Sequence, residues 1–200
     1  MPPRSVAAVV LAAGASTRMG RNKLLLDLGG ETMVRRVVRA AAGAGVDQVL
    51  VVLGHEEPLV RAEVAGLAGT LVVNPDHAQG AATSVRTAVG HVAATAHAIV
   101  VVLADMPLVT ADMIATVVAR YRETAAPLVL SYYGAVQAPP TLFDRALFDE
   151  LLAISGERGA KEVVRRHEPE AVVVHWPESA RRDVDLPADY EGVRSDLGKA

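Results

Sequence analysis

Residues 11–23 read Leu-Ala-Ala-Gly-Ala-Ser-Thr-Arg-Met-Gly-Arg-Asn-Lys, and the predicted fold is built around this stretch. The apolar run before it, residues 6–11, predicts a strand that is buried on both faces. The segment after it, residues 32–42, has apolar residues at helical spacing and is followed by Gly43, which is typical of a helix end. A glycine-containing basic loop between the first strand and a helix is where an open α/β sheet places a nucleotide.

The loop has the composition of a phosphate-binding segment. Gly14 and Gly20 let the backbone approach a ligand, exposed N–H groups bind anions, and Arg18 and Lys23 neutralise phosphate charge. The commoner phosphate-binding motifs are excluded, because Gly20 is followed by Arg-Asn and no G-x-G-x-x-G is present.

In residue type and spacing the stretch resembles the signature L-A-A-G-x-S-x-R-M-G-x-x-K. This signature belongs to nucleotidyltransferases that transfer a nucleoside monophosphate to a phosphorylated acceptor. Within that superfamily the chain is most similar to the molybdenum cofactor cytidylyltransferases of the molybdopterin nucleotidyltransferase family. The resemblance implies catalytic roles for Arg18 and Lys23. It also implies a set of nucleotide-binding residues: Leu11, Ala12, Ala13, Gly14, Arg18 and Lys23.

The composition narrows the class of protein. The chain has 200 residues, 51% of them hydrophobic, a net charge of −3 and no cysteine. These values predict one globular domain, or at most two small ones, without long disordered segments. The resemblance implies a single nucleotidyltransferase domain over residues 1–200. They do not favour a nucleic-acid or membrane surface, and they exclude disulfides and thiolate metal sites. We expect a cytoplasmic protein.

Strand and helix patterns alternate along the chain, which predicts a Rossmann-like three-layer α/β sandwich. Its sheet should be mainly parallel, with helices on both faces. After the first strand, the predicted strands are 48–53, 70–73, 98–103, 128–131 and 171–176. The predicted helices are 32–42, 56–67, 81–92, 111–122 with Thr110 as N-cap, 142–154, 160–166 and 187–193. Residues 132–140 are expected to be irregular and to help hold the acceptor.

Asp105 follows the most hydrophobic predicted strand, in Leu-Ala-Asp-Met-Pro. A carboxylate at the carboxyl end of a central parallel strand lies beside the nucleotide crevice. Taken alone, Asp105 could equally be a turn residue before Pro107. The family resemblance places a metal-binding D-x-P here. It therefore implies that Asp105 is catalytic, contacts the nucleotide and binds Mg²⁺, which prefers oxygen ligands.

A second acidic cluster, Asp183-Val184-Asp185-Leu186-Pro187-Ala188-Asp189, resembles the family's C-terminal D-[IV]-D-x-P-x-D. In an extended segment Asp183 and Asp185 point to the same side. We expect Asp185 to bind the metal with support from Asp183, and Asp189 to lie in the first turn of the last helix. The alternative is a solvated acidic turn.

Asn74, Gly80 and Ser84 form a third group. Relatives use a G-x-x-x-S segment at a helix start to contact the base, so the resemblance implies nucleotide binding by these three residues. Without it, they describe a loop and a helix cap.

The histidines and the remaining arginines give no indication of a catalytic or metal site. The part of the sequence expected to hold the acceptor departs from the family pattern. The six histidines show no metal-ligand spacing, so we expect surface or core roles for them. The arginines of residues 35–39 should lie on a solvated helix face. Relatives carry Gly-His-Pro where this chain has Ala138-Pro139-Pro140, and G-D-x-G-A-[RK] is replaced by Gly-Glu-Arg-Gly-Ala-Lys at 156–161.

The resemblance implies transfer of CMP from CTP to the phosphate of molybdopterin, with pyrophosphate released and a transient contact with a receiving molybdoenzyme. Cytidylyl members carry Leu-Ala-Ala-Gly in the first loop, as residues 11–14 do here. They also carry a leucine after the metal-site proline, as Leu108 follows Pro107 in this chain. The methyl of Ala13 should disfavour a larger purine. The alternatives are a guanylyl or sugar-phosphate-type nucleotidyltransferase, or a non-catalytic nucleotide- or cofactor-binding protein.

Overall fold

The central strand of the sheet is β1 (Val6–Ala12), which lies between β2 (Gln48–Leu53) and β4 (Ala98–Leu103) and is parallel to both. The computed structural model describes residues 4–16, 19–67, 69–92, 94–156, 159–181, 184 and 187–197. Every residue of β1 is buried except Leu11, which is half-buried. The prediction of a strand buried on both faces is therefore confirmed.

The remaining strands are β3 (Thr70–Val73), β5 (Leu128–Tyr133), β6 (Val136–Gln137), β7 (Thr141–Asp144) and β8 (Val172–Trp176). Among the described residues the sheet has eight strands in the order β3-β2-β1-β4-β7-β5-β6, and β8 pairs with β5. β7 lies antiparallel between β4 and β5, and β6 is antiparallel to β5, while the other pairings are parallel. The predicted mainly parallel α/β fold is confirmed.

Helices cover both faces of the sheet, as the alternation predicts. They are α1 (Met33–Ala42), α2 (Glu57–Val64), α3 (Ala81–Val92), α4 (Ala111–Thr124), α5 (Phe148–Ala153), α6 (Gly159–His167) and α7 (Pro187–Leu197). Side chains alternate along β1, so one set packs with α1, α2 and α4 and the other with α3, α5 and α6. Thr110 Oγ1 accepts a 3.2 Å hydrogen bond from the Met113 amide, which confirms the predicted N-cap.

Among the helices in the described part of the chain, none combines the length and apolar character that crossing a membrane requires.

Two sequence predictions are wrong between β5 and α5. The predicted irregular segment 132–140 contains the end of β5 and the short strand β6, joined through Gly134 at φ 61°. The predicted helix 142–154 begins only at Phe148, because Thr-Leu-Phe at 141–143 pairs between two strands as β7. Asp144 then caps the 3₁₀ turn Arg145–Leu147, accepting a hydrogen bond from the Ala146 amide.

Tyr121 of α4 joins the helix layer to the amino-terminal edge of the sheet. Its hydroxyl donates to Asp144 Oδ2 at 2.6 Å, and Arg4 lies 3.4 Å from the same carboxylate oxygen. Burial, reinforced by this hydrogen bond, raises the pKa of Tyr121 from 10.0 to about 12. The neutral phenol is thus favoured in the folded state.

Tyr121→Phe should lower the free energy of unfolding by about 1–2 kcal/mol at neutral pH, since a hydrogen bond to a carboxylate is lost. Because the folded-state pKa lies above the unfolded one, the wild-type advantage should be complete below about pH 10 and decline as the pH rises toward 12. Urea unfolding of both proteins across this pH range measures the difference. If the difference in free energy of unfolding between the two proteins stayed constant up to about pH 12, the raised pKa of Tyr121 would be contradicted.

Candidate active site

A cavity of about 590 Å³ lies over the carboxyl ends of the central parallel strands. The register places Leu11 of β1 opposite Val52 of β2 and Leu103 of β4, so the loops that follow these strands meet at one edge. The lining residues come from the ends of β1 and β4, from the loops after β1, β2, β3 and β4, and from the start of α3: Leu11, Ala13, Gly14, Ala15, Lys23, Leu24, His55, His77, Ala78, Gly80, Ala81, Ser84, Leu103 and Asp105. This is the position that open α/β sheets use for ligands.

The loop after β1 is shaped by its own polar groups. Ser16 has a φ of 50°, and its carbonyl accepts from the Met19 amide at 2.9 Å. Its Oγ accepts from the Lys23 amide at 3.1 Å, and Asn22 Oδ1 accepts from the Leu24 amide at 3.1 Å. These bonds place Lys23 at the start of the 3₁₀ turn Lys23–Leu25, where only 9% of the residue is exposed.

Lys23 and Asp105, both expected at the phosphates, meet in this cavity. Lys23 Nζ lies 2.7 Å from Asp105 Oδ2, and their side chains are only 11% and 25% exposed. Pairing offsets the desolvation of both charges. Asp105 Oδ1 is buried and has no hydrogen-bond partner among the described residues, so this oxygen fits a divalent cation that prefers oxygen ligands.

The turn at residues 105–107 is held from two directions. The Val184 amide donates to the Asp105 carbonyl at 3.1 Å, and Val184 is fully buried in the core. Arg36 Nε of α1 donates to the Pro107 carbonyl at 3.0 Å, while Arg36 and Arg39 both contact Glu31 Oε1. The expectation of a purely solvated arginine face is therefore wrong for Arg36.

The second acidic cluster lies mostly outside the described residues. Asp183 and Asp185 are not described, and neither is Arg18 in the first loop. Their assigned roles stay predictions. Val184, the residue between these two aspartates in the sequence, lies next to Asp105.

Of the third group of predicted residues, Gly80 and Ser84 line the cavity and Asn74 does not. Gly80 has a φ of 109°. Asn74 is only 1% exposed, and its amide nitrogen donates to Thr83 Oγ1 and Ser84 Oγ at 2.8 and 3.0 Å. Its amide oxygen accepts from the Asp76 amide. Asn74 therefore holds the loop against α3. Ala12 is likewise buried within the core beneath the cavity.

Two of the six histidines, His55 and His77, line the cavity, although we expected surface or core positions. Their ring centroids are 6.3 Å apart. Metal-ligand spacing gave no signal for them. The usable signal was topological, since His55 follows β2 and His77 follows β3 at the same edge of the sheet.

A second cavity, of about 370 Å³, adjoins the first and shares Leu11, Ala81 and Leu103 with it. Its lining is mostly apolar and includes Ala138 and Pro139, where the sequence departs from the family pattern. The polar lining residues are Gln137, Thr141, Lys161 and Arg181. Gln137 Nε2 donates to Thr141 Oγ1 at 3.1 Å.

Comparison with known proteins identifies the family. The model of the MobA-like NTP transferase domain matches residues 8–172. The purine catabolism protein PucB of Bacillus subtilis (strain 168) is 32% identical over 196 residues, covering 93% of this chain and 94% of PucB. The crystal structure of Rv0371c from Mycobacterium tuberculosis H37Rv has a TM-score of 0.86 and 30% identity, covering 96% of this chain and 98% of that one.

A complex of Rv0371C with manganese has a TM-score of 0.82 and 29% identity, again covering 96% of this chain and 98% of that one. The family model spans most of the sequence, and PucB and Rv0371c match it almost from end to end. This chain therefore belongs to the family of MobA-like NTP transferase domains.

Proposed function

We propose that this protein transfers CMP from CTP to the phosphate of a molybdopterin-type cofactor and releases pyrophosphate. The observation that carries the proposal is the Lys23–Asp105 pair, 2.7 Å apart at the carboxyl ends of β1 and β4 in a glycine-lined cavity. It provides a cation for the triphosphate and a carboxylate for a metal in one place. The motif over residues 11–23 supports the cytidylyl assignment.

In the proposed reaction an oxygen of the acceptor phosphate attacks the α-phosphorus of CTP. The bond from this phosphorus to the oxygen that bridges to the β-phosphate breaks, and pyrophosphate leaves with that oxygen. A general base is not required, because the attacking phosphate is already ionised. Lys23, together with Arg18, offsets the charge that develops on the leaving pyrophosphate.

Asp105 would hold Mg²⁺, with Asp185 as a second ligand and Asp183 in support. The buried Asp105 Oδ1, which lacks a partner within the described residues, suits a hard cation. The manganese complex of Rv0371C supports the use of a divalent ion in this family. When bound, the metal supplies positive charge to phosphate oxygens.

The adjoining cavity supports a flat phosphorylated acceptor over a sugar phosphate. Its walls are mostly apolar, whereas Lys161 and Arg181 provide positive charge for a phosphate. Gln137 and Thr141 are hydrogen-bonded to each other, which leaves few side-chain groups for the many hydroxyls of a sugar. A molybdopterin-type cofactor combines a planar ring system with a terminal phosphate.

Pyrophosphate release, measured with each of the four common ribonucleoside triphosphates, tests the proposal. Each reaction is run with molybdopterin-type cofactor, with a sugar 1-phosphate, and without acceptor. We expect release that requires the cofactor and has its highest kcat/KM with CTP. Release with the sugar phosphate alone would assign a sugar nucleotidyltransferase, and binding without release would assign a non-catalytic binder.

Lys23→Met and Asp105→Asn should each lower kcat/KM by at least about 100-fold, the scale of losing one pre-organised transition-state group. Asp112→Asn is the matched control, since this carboxylate is exposed on α4, and it should leave kcat/KM unchanged. Steady-state pyrophosphate assays on folded variants measure the effect. Wild-type activity in either test variant would remove that residue from the proposed mechanism.

Ala13→Gly should raise the ratio of kcat/KM for GTP to that for CTP, because it removes a methyl group that lines the nucleotide cavity. A methyl group in a tight pocket shifts selectivity by about 10- to 200-fold. Competition between the two nucleotides in one reaction gives the ratio directly. An unchanged ratio, or a wild-type preference for GTP, would overturn the base assignment and leave nucleotidyl transfer intact.

A further inference from the structure

His55 and His77 lie together on one wall of the nucleotide cavity, and the proposed mechanism does not use either residue. Both side chains are half-buried, with ring centroids 6.3 Å apart and ring planes inclined by 57°. Within the described part of the chain, neither imidazole has a hydrogen-bond partner.

The other four histidines all contact protein groups. His91, His97 and His167 form hydrogen bonds, and His175 packs against Tyr132. The two cavity histidines contact each other, and both side chains line the cavity.

Close packing fixes the position of His77. A Cβ atom added to Gly54 would lie 2.7 Å from Ala13 Cβ and 2.7 Å from His77 Cβ, closer than such atoms ever approach. Only glycine at position 54 lets the His77 backbone come this near to the end of β1. The His55 amide also donates to the Ala13 carbonyl, at 3.3 Å. The wall thus consists of Ala13, His55 and His77, with Gly54 packed against Ala13 and His77.

The sheet order separates this wall from the charged groups. Asp105 follows β4 on one side of β1, whereas His55 and His77 follow β2 and β3 on the other side. Adjacent strands are about 4.8 Å apart, so the ends of β3 and β4 are separated by roughly three such spacings. The cavity has a charged end near Lys23 and Asp105 and an aromatic end at the imidazoles.

A nucleoside triphosphate has the same two-part character, with a charged phosphate chain and a flat base. We infer that His55 and His77 form a platform for the nucleobase: the base stacks on the ring of His77, and its edge contacts the ring of His55, which is inclined by 57°. This inference rests on the proposed function only in requiring that the cavity bind a nucleoside triphosphate. It does not depend on the acceptor or on transfer.

Isothermal titration of the full chain with CTP and, separately, with inorganic tripolyphosphate in the presence of Mg²⁺ tests the platform. Tripolyphosphate has the charges of the nucleotide but lacks the base. Stacking of one base on an aromatic side chain corresponds to about 5- to 150-fold in affinity. His77→Ala should weaken CTP binding by this factor and leave tripolyphosphate binding unchanged, which also shows that the variant is folded.

Two further variants make the result specific. His77→Phe keeps an aromatic face and should bind CTP within a few-fold of wild type, while His55→Ala should weaken CTP but not tripolyphosphate. His91→Ala, on the exposed part of α3, is the matched control and should bind both ligands normally.

Unchanged CTP binding in His77→Ala, equal weakening of both ligands, or failure of His77→Phe to retain affinity would each overturn the platform. Evidence against the platform can be distinguished from evidence against the proposed function. Base-dependent binding without pyrophosphate release would leave the platform intact and contradict the transferase proposal.

Discussion

The contact between Lys23 Nζ and Asp105 Oδ2, 2.7 Å long and largely shielded from water, joins the loop after β1 to the turn after β4 at the edge of the cavity. Each partner alone would be a poorly solvated charge, so the loop after β1 and the turn after β4 depend on each other. The β1–β4 pairing brings the two loops side by side. Ser16 and Asn22 shape one loop, while Arg36 and Val184 hold the other through backbone carbonyls.

The two cavities around this pair contain regions of different chemical character. Charged groups lie where β1 meets β4, aromatic rings lie beyond β2 and β3, and the second cavity is mostly apolar. Because the two cavities share Leu11, Ala81 and Leu103, a nucleotide in one and an acceptor in the other would be in contact. Such juxtaposition is what transfer between two bound substrates requires.

Most of the sheet could be predicted, because strands buried on both faces are continuous apolar runs, as in β1, β2 and β4. The strand β7 could not, because Leu142 and Phe143 continue an apolar pattern into α5, and local periodicity does not show that Asp144 starts a new element. Lys23 and Asp105 were predictable from motifs at strand ends. His55 and His77 were not, since their proximity depends on the sheet order and on close packing at Gly54.

The proposed function requires that the α-phosphorus of CTP is transferred to an acceptor phosphate at the Lys23–Asp105 site. Single-turnover reactions with CTP radiolabelled at the α-phosphorus, or in parallel at the γ-phosphorus, test it most directly. The α-label should appear in a cytidine dinucleotide of the acceptor and the γ-label in pyrophosphate, at equal rates. Appearance of the α-label as free CMP, or retention of both labels in unreacted CTP bound to the protein, would contradict the claim.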